Sequence, residues 1–306
     1  MRILVTGGRG LVGRNVLEHP AAQSHEMLAP TSDELDLRDA GAVDFWMRNH
    51  RPDMIIHAAG WVGGIMANMN DPARFLLDNL DIGRNVVGAA WRHEVPRLIN
   101  LGSSCMYPRD YDRPMREDML LTGPLEPTNE GYAIAKIAVA RMCSYISRQE
   151  PQFQYRTLMP CNIYGRFDHF DPVRAHLVPA IIRKVHEAKR NGHATVEIWG
   201  DGTVRREFMY SGDLADAIMM AVEQFESLPD MMNIGLGFDH SINEYYQAVA
   251  DALDYRGGFT HDLSKPVGMK RKLLDIGLQL EWGWKASHDL HTGIRRTSDY
   301  YLGLAQ

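Results

Sequence analysis

Short apolar runs alternate with longer segments of helical periodicity through the first half of the chain. A short apolar run bounded by turn-forming residues is typical of a buried strand, whereas apolar positions three or four apart are typical of a helix. The runs predict strands at 2–6, 26–30, 53–60, 97–102 and 155–163. The periodic segments predict helices from about 11 to 19, 40 to 49, 71 to 93 and 132 to 149. This alternation predicts an α/β fold, a Rossmann-type doubly wound parallel sheet with helices on both faces.

The pattern becomes irregular after Gly165. The predicted elements here are a polar, aromatic loop at 167–176, a helix at 177–190, a strand at 195–199, an extended segment at 207–210, helices at about 211–225 and 242–254, and a last helix at 287–302. Ser211 or Asp213 is expected to cap the first of the two middle helices, and Ser241 the second. We therefore expect a dinucleotide-binding domain at 1–165. A smaller, irregular α/β substrate-binding lobe follows at 166–306, with some segments returning to the first domain.

The first turn of the chain carries glycines at a regular spacing. Gly7, Gly10 and Gly13 follow an apolar strand and open a helix. The first glycine permits a tight turn, the second lets the backbone approach a pyrophosphate, and the third allows the helix to pack closely on the strand. The helix N-terminus, with Leu11 and Val12, offers free N–H groups to phosphate. Because strand and helix flank the glycines, the spacing predicts a dinucleotide site.

The second strand indicates which dinucleotide is bound. An NAD site usually carries an acid at the end of this strand, where the carboxylate binds the ribose hydroxyls. Here the strand ends in Leu28-Ala29-Pro30-Thr31-Ser32, and the first acid is Asp33. Arg9 stands inside the glycine loop, where a guanidinium can meet a 2′-phosphate. The sequence therefore favours NADP, with a solvated loop cation as the alternative for Arg9.

A tyrosine and a lysine lie four residues apart at the start of a long predicted helix. Tyr132 and Lys136 therefore share one face of that helix, one turn apart. A lysine ammonium beside a phenol favours the phenolate and lowers its pKa. Ser103, at the end of the preceding strand, is placed to hydrogen-bond the same oxygen. Together the three residues predict a general acid or base for a carbonyl or an alcohol, although the same spacing also occurs on ordinary helix surfaces.

Composition narrows the class of protein. Of the 306 residues 45% are hydrophobic and 24% are charged, as in an ordinary soluble globular protein. The net charge of −6 gives no reason to expect a nucleic acid or an anionic membrane as a partner. Cys105, Cys143 and Cys161 are too few and too scattered for a disulfide framework or a metal site. Since Met1 leads directly into the first strand, we expect no signal peptide and a cytoplasmic location.

Five features occur together in the order known from one enzyme family. They are the 7/10/13 glycines, His57-Ala58-Ala59-Gly60, Ser103, the Tyr132–Lys136 pair, and Pro160-Cys161-Asn162-Ile163-Tyr164-Gly165. The chain thereby resembles the extended short-chain dehydrogenase/reductase family of nucleotide-sugar epimerases, dehydratases and reductases. The segments 62–65, 101–108, 125–130, 199–203 and 206–208 resemble the members that act on GDP-4-keto-6-deoxy sugars.

The resemblance implies a role for each matching residue. Tyr132 would donate a proton to the C4 oxygen as NADPH delivers hydride, Lys136 would hold the nicotinamide ribose, and Ser103 would hydrogen-bond the sugar oxygen. Cys105 and His176 would exchange protons beside the keto group. The GDP-sugar pocket would be lined by Ser103, Cys105, Asn162, Trp199, Arg206 and Lys272. The remaining cofactor contacts would come from Asp36, Leu37, Ala58, Ala59, Asn162 and His176.

Several alternatives stay open at the level of the sequence. Ser32 stands where a family member carries an arginine, so that Arg9 is the main support for NADP. Relatives with similar motifs act on GDP-4-keto-3,6-dideoxy-mannose, which gives colitose, or reduce GDP-4-keto-6-deoxy-heptoses. A lone cysteine at a strand end is often only packing filler. A more distant alternative is a non-catalytic NAD(P)-sensing module. The resemblance also implies a homodimer that pairs through the helices at about 72–92 and 132–149.

Overall fold

The structure, a computed structural model, describes residues 1–111, 113–172, 175–264 and 271–304. The helices are α1 (Leu11–Leu17), α2 (Ala40–His50), α3 (Ile65–Asn70), α4 (Pro72–Arg92), α5 (Glu130–Gln149), α6 (Leu177–Arg190), α7 (Ser211–Glu223), α8 (Ile242–Ala252), α9 (Gly277–Trp282) and α10 (Leu290–Leu304). The strands are β1 (Arg2–Thr6), β2 (Glu26–Leu28), β3 (Met54–His57), β4 (Arg97–Leu101), β5 (Gln154–Pro160), β6 (Asn162–Tyr164), β7 (Thr195–Trp199), β8 (Arg205–Arg206), β9 (Phe208–Tyr210), β10 (Met231–Ile234), β11 (His240–Ser241) and β12 (Gly258–Asp262).

Six parallel strands form the central sheet in the order β10-β5-β4-β3-β1-β2. The chain runs outward from β1 to β2, crosses back, and then adds β3, β4 and β5 on the other side of β1. Strand order thus reverses between β1 and β3. Ligands of doubly wound sheets bind at such a switch point, at the carboxyl ends of the strands. The predicted Rossmann-type architecture is confirmed.

Alternating side chains of the central strands pack on the two sides of the sheet, because successive residues of a strand point to opposite faces. Ile3 and Val5 belong to a buried cluster with residues of α1 and α7. Leu4 belongs to a different buried cluster with residues of α2, α4 and α5. The carboxyl ends of the strands are therefore held between two rigid helical layers, which fixes the positions of the residues that follow them.

The second half of the chain divides its elements between the central sheet and a separate core. Strand β10 pairs in parallel with β5, and α7 packs against α1. A further buried cluster is formed by residues of α6, α8 and α10 with those of β7 and β9. Three small pairs complete this part: β12 with β7, β11 with β8, and β6 with β9. Segments after residue 166 thus contribute to both cores.

Several local predictions differ from the structure. The second strand, predicted at 26–30, ends at Leu28. The strand predicted at 155–163 forms two strands, β5 and β6. The backbone N–H of Cys161 still bonds to the carbonyl of Ile234 in β10, and β6 then leaves the sheet to pair with β9. Helix α3 lies between Trp61 and α4, where no element was predicted. Tyr210, rather than Ser211 or Asp213, precedes α7 as its N-cap. The predicted cap at Ser241 is confirmed, since its hydroxyl accepts a hydrogen bond from the N–H of Glu244.

Candidate active site

The glycine loop sits directly against the end of β3. Gly7 has φ of +72°, and a Cβ added there would lie 2.8 Å from the Cα of Ala59. A Cβ on Gly13 would lie 2.3 Å from the carbonyl oxygen of Gly7. Larger residues at either position would push the loop from the sheet. The close approach brings the loop and the small residues Ala58 and Ala59 to one edge, as the sequence suggested for a dinucleotide site.

The start of α1 is prepared for an anion. Gly10 is the N-cap and has no side chain to accept a hydrogen bond from the helix. The first N–H groups of the helix, at Leu11 and Val12, therefore keep their capacity to bind phosphate. A Cβ at Gly10 would contact only the Gly7 carbonyl, at 3.3 Å, so the loop is open on its outer side. These features fit a pyrophosphate.

Arg9 is exposed and lies near the segment after β2. Hydrogen bonds from Thr31 are the main cause that lowers the pKa of Glu34, and the charge of Arg9 adds to this effect. Asp36 is already paired with Arg38, whose Nη2 donates to its carboxylate at 2.8 Å. The carbonyl of Leu37 accepts a hydrogen bond from Asn85 at 2.9 Å. Arg9 is thus the cation that the glycine loop itself presents toward this segment.

Ser103 and Tyr132 meet at the end of β4. Burial raises the pKa of the Tyr132 phenol above its usual value of about 10, and negative charge on the neighbouring Cys105 sulfur raises it further, whereas the nearby Ser103 hydroxyl lowers it. Burial has the largest effect, so the phenol keeps its proton near neutral pH. An alcohol and a protonated phenol that lie side by side can both donate to one carbonyl oxygen.

Lys136 lies one turn after Tyr132 and is 7% exposed. Its Nζ donates to the carbonyl of Leu101 at 2.9 Å and lies 5.9 Å from the centre of the Tyr132 ring. Burial lowers the pKa of the ammonium to about 8, because the charged form is poorly solvated. The lysine is therefore charged at neutral pH but close to its titration. The predicted lowering of the Tyr132 pKa by Lys136 is not seen, because burial of the phenol raises that pKa instead.

Cys105 is half-buried beside the same donor pair. Its backbone N–H donates to Ser103 Oγ at 3.2 Å. Its sulfur accepts from two side chains, Asn129 Nδ2 at 3.1 Å and Lys272 Nζ at 3.5 Å. The other two cysteines are buried, and burial raises the pKa of both thiols. Cys105 is thus the thiol with access to the site.

The remaining predicted residues lie on neighbouring segments of the second half. His176 is the N-cap of α6, and burial together with the charge of His169 lowers its pKa, so the imidazole is neutral at pH 7. Arg206 is half-buried, and its Nη1 donates to the carbonyl of Arg205 at 2.8 Å. Trp199 is 58% exposed at the end of β7. Asn162 donates to the carbonyl of Glu207 at 3.3 Å. These placements leave their predicted contacts with substrate and cofactor as predictions.

The contacts seen in the structure link Ser103, Cys105, Tyr132 and Lys272 into one cluster, to which Lys136 is joined through Leu101 and the Tyr132 ring. Sequence reasoning missed Asn129, which also belongs to this cluster. An asparagine at the start of a helix is an ordinary capping residue, so the type and place of Asn129 do not by themselves indicate a site. Its contact with Cys105 depends on tertiary structure and left no pattern in the sequence.

Two other kinds of site are absent from the part of the chain that the structure describes. Within the four described ranges, no group of three His, Cys, Asp or Glu side chains is placed to hold a metal ion. Nor does any described helix combine the length and apolar character needed to cross a membrane.

Comparison with known proteins gives full-length matches. Residues 3–235 match the sequence model of the NAD dependent epimerase/dehydratase family. A GDP-L-colitose synthase from Yersinia pseudotuberculosis is 50% identical over 302 residues, which cover 99% of this chain and 98% of that protein. A GDP-L-fucose synthase from Azorhizobium caulinodans is 50% identical over 301 residues, covering 98% and 96%. The structure of a GDP-mannoheptose C4 reductase from Campylobacter jejuni with NADP bound superposes with a TM-score of 0.88 at 30% identity, covering 98% of each chain.

Proposed function

Since the chain belongs to the NAD dependent epimerase/dehydratase family, we propose that it is an NADPH-dependent epimerase/reductase that converts a GDP-4-keto-6-deoxyhexose to a GDP-6-deoxy-L-sugar. One observation carries the proposal: the Ser103 hydroxyl accepts a hydrogen bond from the backbone N–H of Cys105 at 3.2 Å and lies beside the Tyr132 phenol, whose pKa it lowers. A protonated phenol and an accessible thiol thus flank one hydroxyl. The names of the two relatives that are 50% identical support a GDP-sugar substrate.

The proposed cofactor fits the glycine loop. The pyrophosphate would lie on the N–H groups at the start of α1, over the open side of Gly10. Arg9 would face the 2′-phosphate, and Lys136 would reach the nicotinamide ribose. When bound, NADPH supplies the hydride for C4. The NADP-bound relative from Campylobacter jejuni supports this assignment.

In the reduction, Tyr132 donates its proton to the C4 oxygen. Its raised pKa keeps the proton on the phenol until negative charge develops on that oxygen. Ser103 hydrogen-bonds the same oxygen, in the manner of an oxyanion hole. The nearby charge of Lys136 stabilises the phenolate that remains after the transfer.

In the epimerisation, Cys105 and His176 exchange protons at the carbons next to the ketone. A 4-keto group acidifies its neighbouring C–H bonds, because the enolate oxygen takes up the charge. Ser103 and Tyr132 stabilise that oxygen. A thiolate and an opposed imidazole can then remove and return a proton on opposite faces, which inverts the carbon. Asn162, Trp199, Arg206 and Lys272 hold the GDP-sugar.

A second candidate is the same chemistry on a related sugar. The relative named GDP-L-colitose synthase is as similar as the one named GDP-L-fucose synthase, which favours a 3,6-dideoxy substrate equally. The heptose reductase shares the fold at lower identity and supports a 4-reductase without epimerisation. The three free cysteines fit a cytoplasmic enzyme, and we place it in surface-polysaccharide sugar synthesis.

The deciding experiment is incubation with NADPH and GDP-4-keto-6-deoxy-mannose in deuterated water, followed by mass spectrometry and proton NMR of the sugar. NADPH oxidation with deuterium at C3 and C5 supports both activities. Deuterium at C5 alone favours the 3,6-dideoxy substrate. Oxidation without solvent deuterium means a simple 4-reductase. If neither this sugar nor its dideoxy and heptose analogues is consumed, the proposal is wrong.

We also propose a homodimer that pairs through α4 and α5. These two helices pack against each other, yet Leu77 on α4 and Ile134 and Tyr145 on α5 remain exposed. Pairing with a second copy would remove these side chains from water. Light scattering at micromolar concentration is expected to give twice the mass of the chain, and a monomer would contradict the proposal.

Replacing Arg9 by glutamine should raise the KM for NADPH about tenfold and leave the KM for NADH almost unchanged, because a charge-assisted contact to the 2′-phosphate is lost. Steady-state kinetics with both cofactors provides the measurement. Arg48→Gln, at an exposed position on α2, is the matched control. Equal losses with both cofactors would place Arg9 at the pyrophosphate instead, and no loss would make it a solvated loop cation.

The catalytic efficiency kcat/KM for reduction should fall as the pH rises through about 8, where buried Lys136 loses its proton. Because the pKa of Lys136 is lowered, the lysine is fully charged, and therefore competent, only below this pH range. Lys136→Arg keeps its charge at all accessible pH values, so the alkaline fall should disappear while the rate at pH 7 is reduced. A wild-type profile that stays flat to pH 10 would contradict this role of Lys136.

A further inference from the structure

The side chain of Asn129 hydrogen-bonds the sulfur of Cys105. Asn129 occupies the N-cap position of α5, where an asparagine normally accepts a hydrogen bond from the helix backbone. Here it makes no such bond, and its Nδ2 donates to Cys105 Sγ at 3.1 Å. Its Oδ1 is buried and has no hydrogen-bond partner within the described ranges. The side chain of Asn129 therefore does not cap α5 and donates to the Cys105 sulfur instead.

We propose that Asn129 is a positioning residue which, together with Lys272, holds Cys105 as a thiolate ready to take a proton next to the ketone. This inference rests on the proposed function and deepens it. It adds a residue to the epimerisation half of the site and gives Lys272 a task besides lining the GDP-sugar pocket.

The donor inventory supports an anionic sulfur. A lysine ammonium has three donors and no acceptor, so the contact of Lys272 Nζ with Cys105 Sγ requires the sulfur to accept. The amide of Asn129 presents its NH₂ group to the same atom. Hydrogen bonds to an ionised acceptor are roughly twice as strong as neutral ones. Two donors on one sulfur therefore favour the thiolate over the thiol.

The position of Asn129 couples the two half-reactions. It lies three residues before Tyr132, at the N-terminus of the same helix. The N-terminal turn of α5 thereby holds the proton acceptor Cys105, through Asn129, and carries the proton donor Tyr132 itself. Ser103 joins them from the turn after β4, since its hydroxyl lies beside Tyr132 and accepts a hydrogen bond from the backbone of Cys105. A rigid helix end thus sets the spacing that removal of a proton beside a carbonyl requires.

The test measures alkylation of Cys105 by iodoacetamide in the free enzyme at pH 7. Cys143 and Cys161 are buried, and burial raises the pKa of each thiol, so the mass of the alkylated protein reports Cys105. Asn129→Leu, which keeps the volume and removes the donors, should react about tenfold more slowly. Asn129→Asp, which places a like charge beside the sulfur, should react more slowly still. The exposed neighbour Glu130→Gln is the matched control and should react at the wild-type rate.

The pH profile separates an electrostatic role from a merely structural one. The titratable groups that the structure places beside the sulfur are Lys272 and Tyr132. The deficit of both Asn129 variants should narrow at alkaline pH, where the thiol ionises without help. Lys272→Met should show the same deficit, and Lys272→Arg should restore most of the rate. Equal alkylation rates in wild type and both Asn129 variants would overturn the proposal.

Deuterium incorporation completes the test. Asn129→Leu should lose solvent deuterium at the carbons next to the ketone in the same proportion as it loses alkylation rate. Unchanged incorporation in this variant would also overturn the proposal. If the wild type itself incorporates no deuterium, the proposed epimerase activity fails. The alkylation rates, which need neither substrate nor cofactor, would still decide whether Asn129 controls the thiol.

Discussion

Tyr132→Phe should slow the reduction of the 4-keto sugar by a factor of about 10² to 10⁴, the usual contribution of a positioned general acid. In the proposed reaction the phenol carries the proton that neutralises the C4 oxygen. Burial holds the pKa of the phenol above its ordinary value, so the wild-type residue is protonated at neutral pH. Phenylalanine fills the same space without a proton to give. Loss of NADPH absorbance under saturating sugar provides the rate.

The control for this variant is Tyr145→Phe, at an exposed tyrosine of the same helix α5. It removes a hydroxyl from an equally helical position and should keep the wild-type rate. Solvent deuterium should still enter the sugar in Tyr132→Phe, although more slowly, because Ser103 remains to stabilise the enolate oxygen. Full reduction rates in Tyr132→Phe would show that the proton comes from another group.

Local sequence signals were enough for the part of the fold that binds the cofactor. The family suggested by the glycines and the Tyr132–Lys136 pair is confirmed by the match over residues 3–235. Gly7 and Gly13 leave a clear pattern because a Cβ at either would collide with backbone. Strands buried on both faces appear as uninterrupted apolar runs, since no position faces water.

Long-range contacts explain what local signals missed. Strand β10 is a run of four residues interrupted by Asn233, so its pattern did not predict a strand of the central sheet. In the structure Asn233 is buried and satisfied by distant partners: its Oδ1 accepts from the Tyr107 hydroxyl at 2.6 Å, and its Nδ2 donates to the carbonyls of Met115 and Asp275 at 2.9 Å. Such partners cannot be found from the neighbours of Asn233 in sequence.

The same limit applies to the electrostatics of the candidate site. The spacing alone predicts that Lys136 lowers the pKa of Tyr132. The structure shows that burial dominates and that Lys136 Nζ points at the carbonyl of Leu101. Spacing on a helix fixes which side chains are neighbours, but the solvent exposure of each depends on every segment packed around it. The sequence therefore identified the residues of the pair and not the balance of forces between them.

Cys105→Ala should abolish solvent deuterium incorporation at the carbons next to the ketone, with a loss of at least about 10²-fold in exchange rate, because a positioned base typically contributes this much. The sulfur is the acceptor of two donors in the site, Asn129 and Lys272, and alanine leaves no group there that can accept a proton. Exchange measured by mass spectrometry in deuterated water with NADP⁺ in place of NADPH isolates this step from reduction.

A buried thiol provides the matched control for Cys105→Ala. Cys143→Ala removes a sulfur from the core between the sheet and α5 and should leave exchange unchanged, although it lowers stability. The reduction product formed by Cys105→Ala should distinguish the two possible kinds of substrate. A hexose that must be epimerised first would no longer give a fucose-configured product, whereas a ketone that needs no epimerisation would still be reduced through Tyr132. Exchange at the wild-type rate in Cys105→Ala would assign the proton transfer to His176 alone and would leave Cys105 with only a packing role.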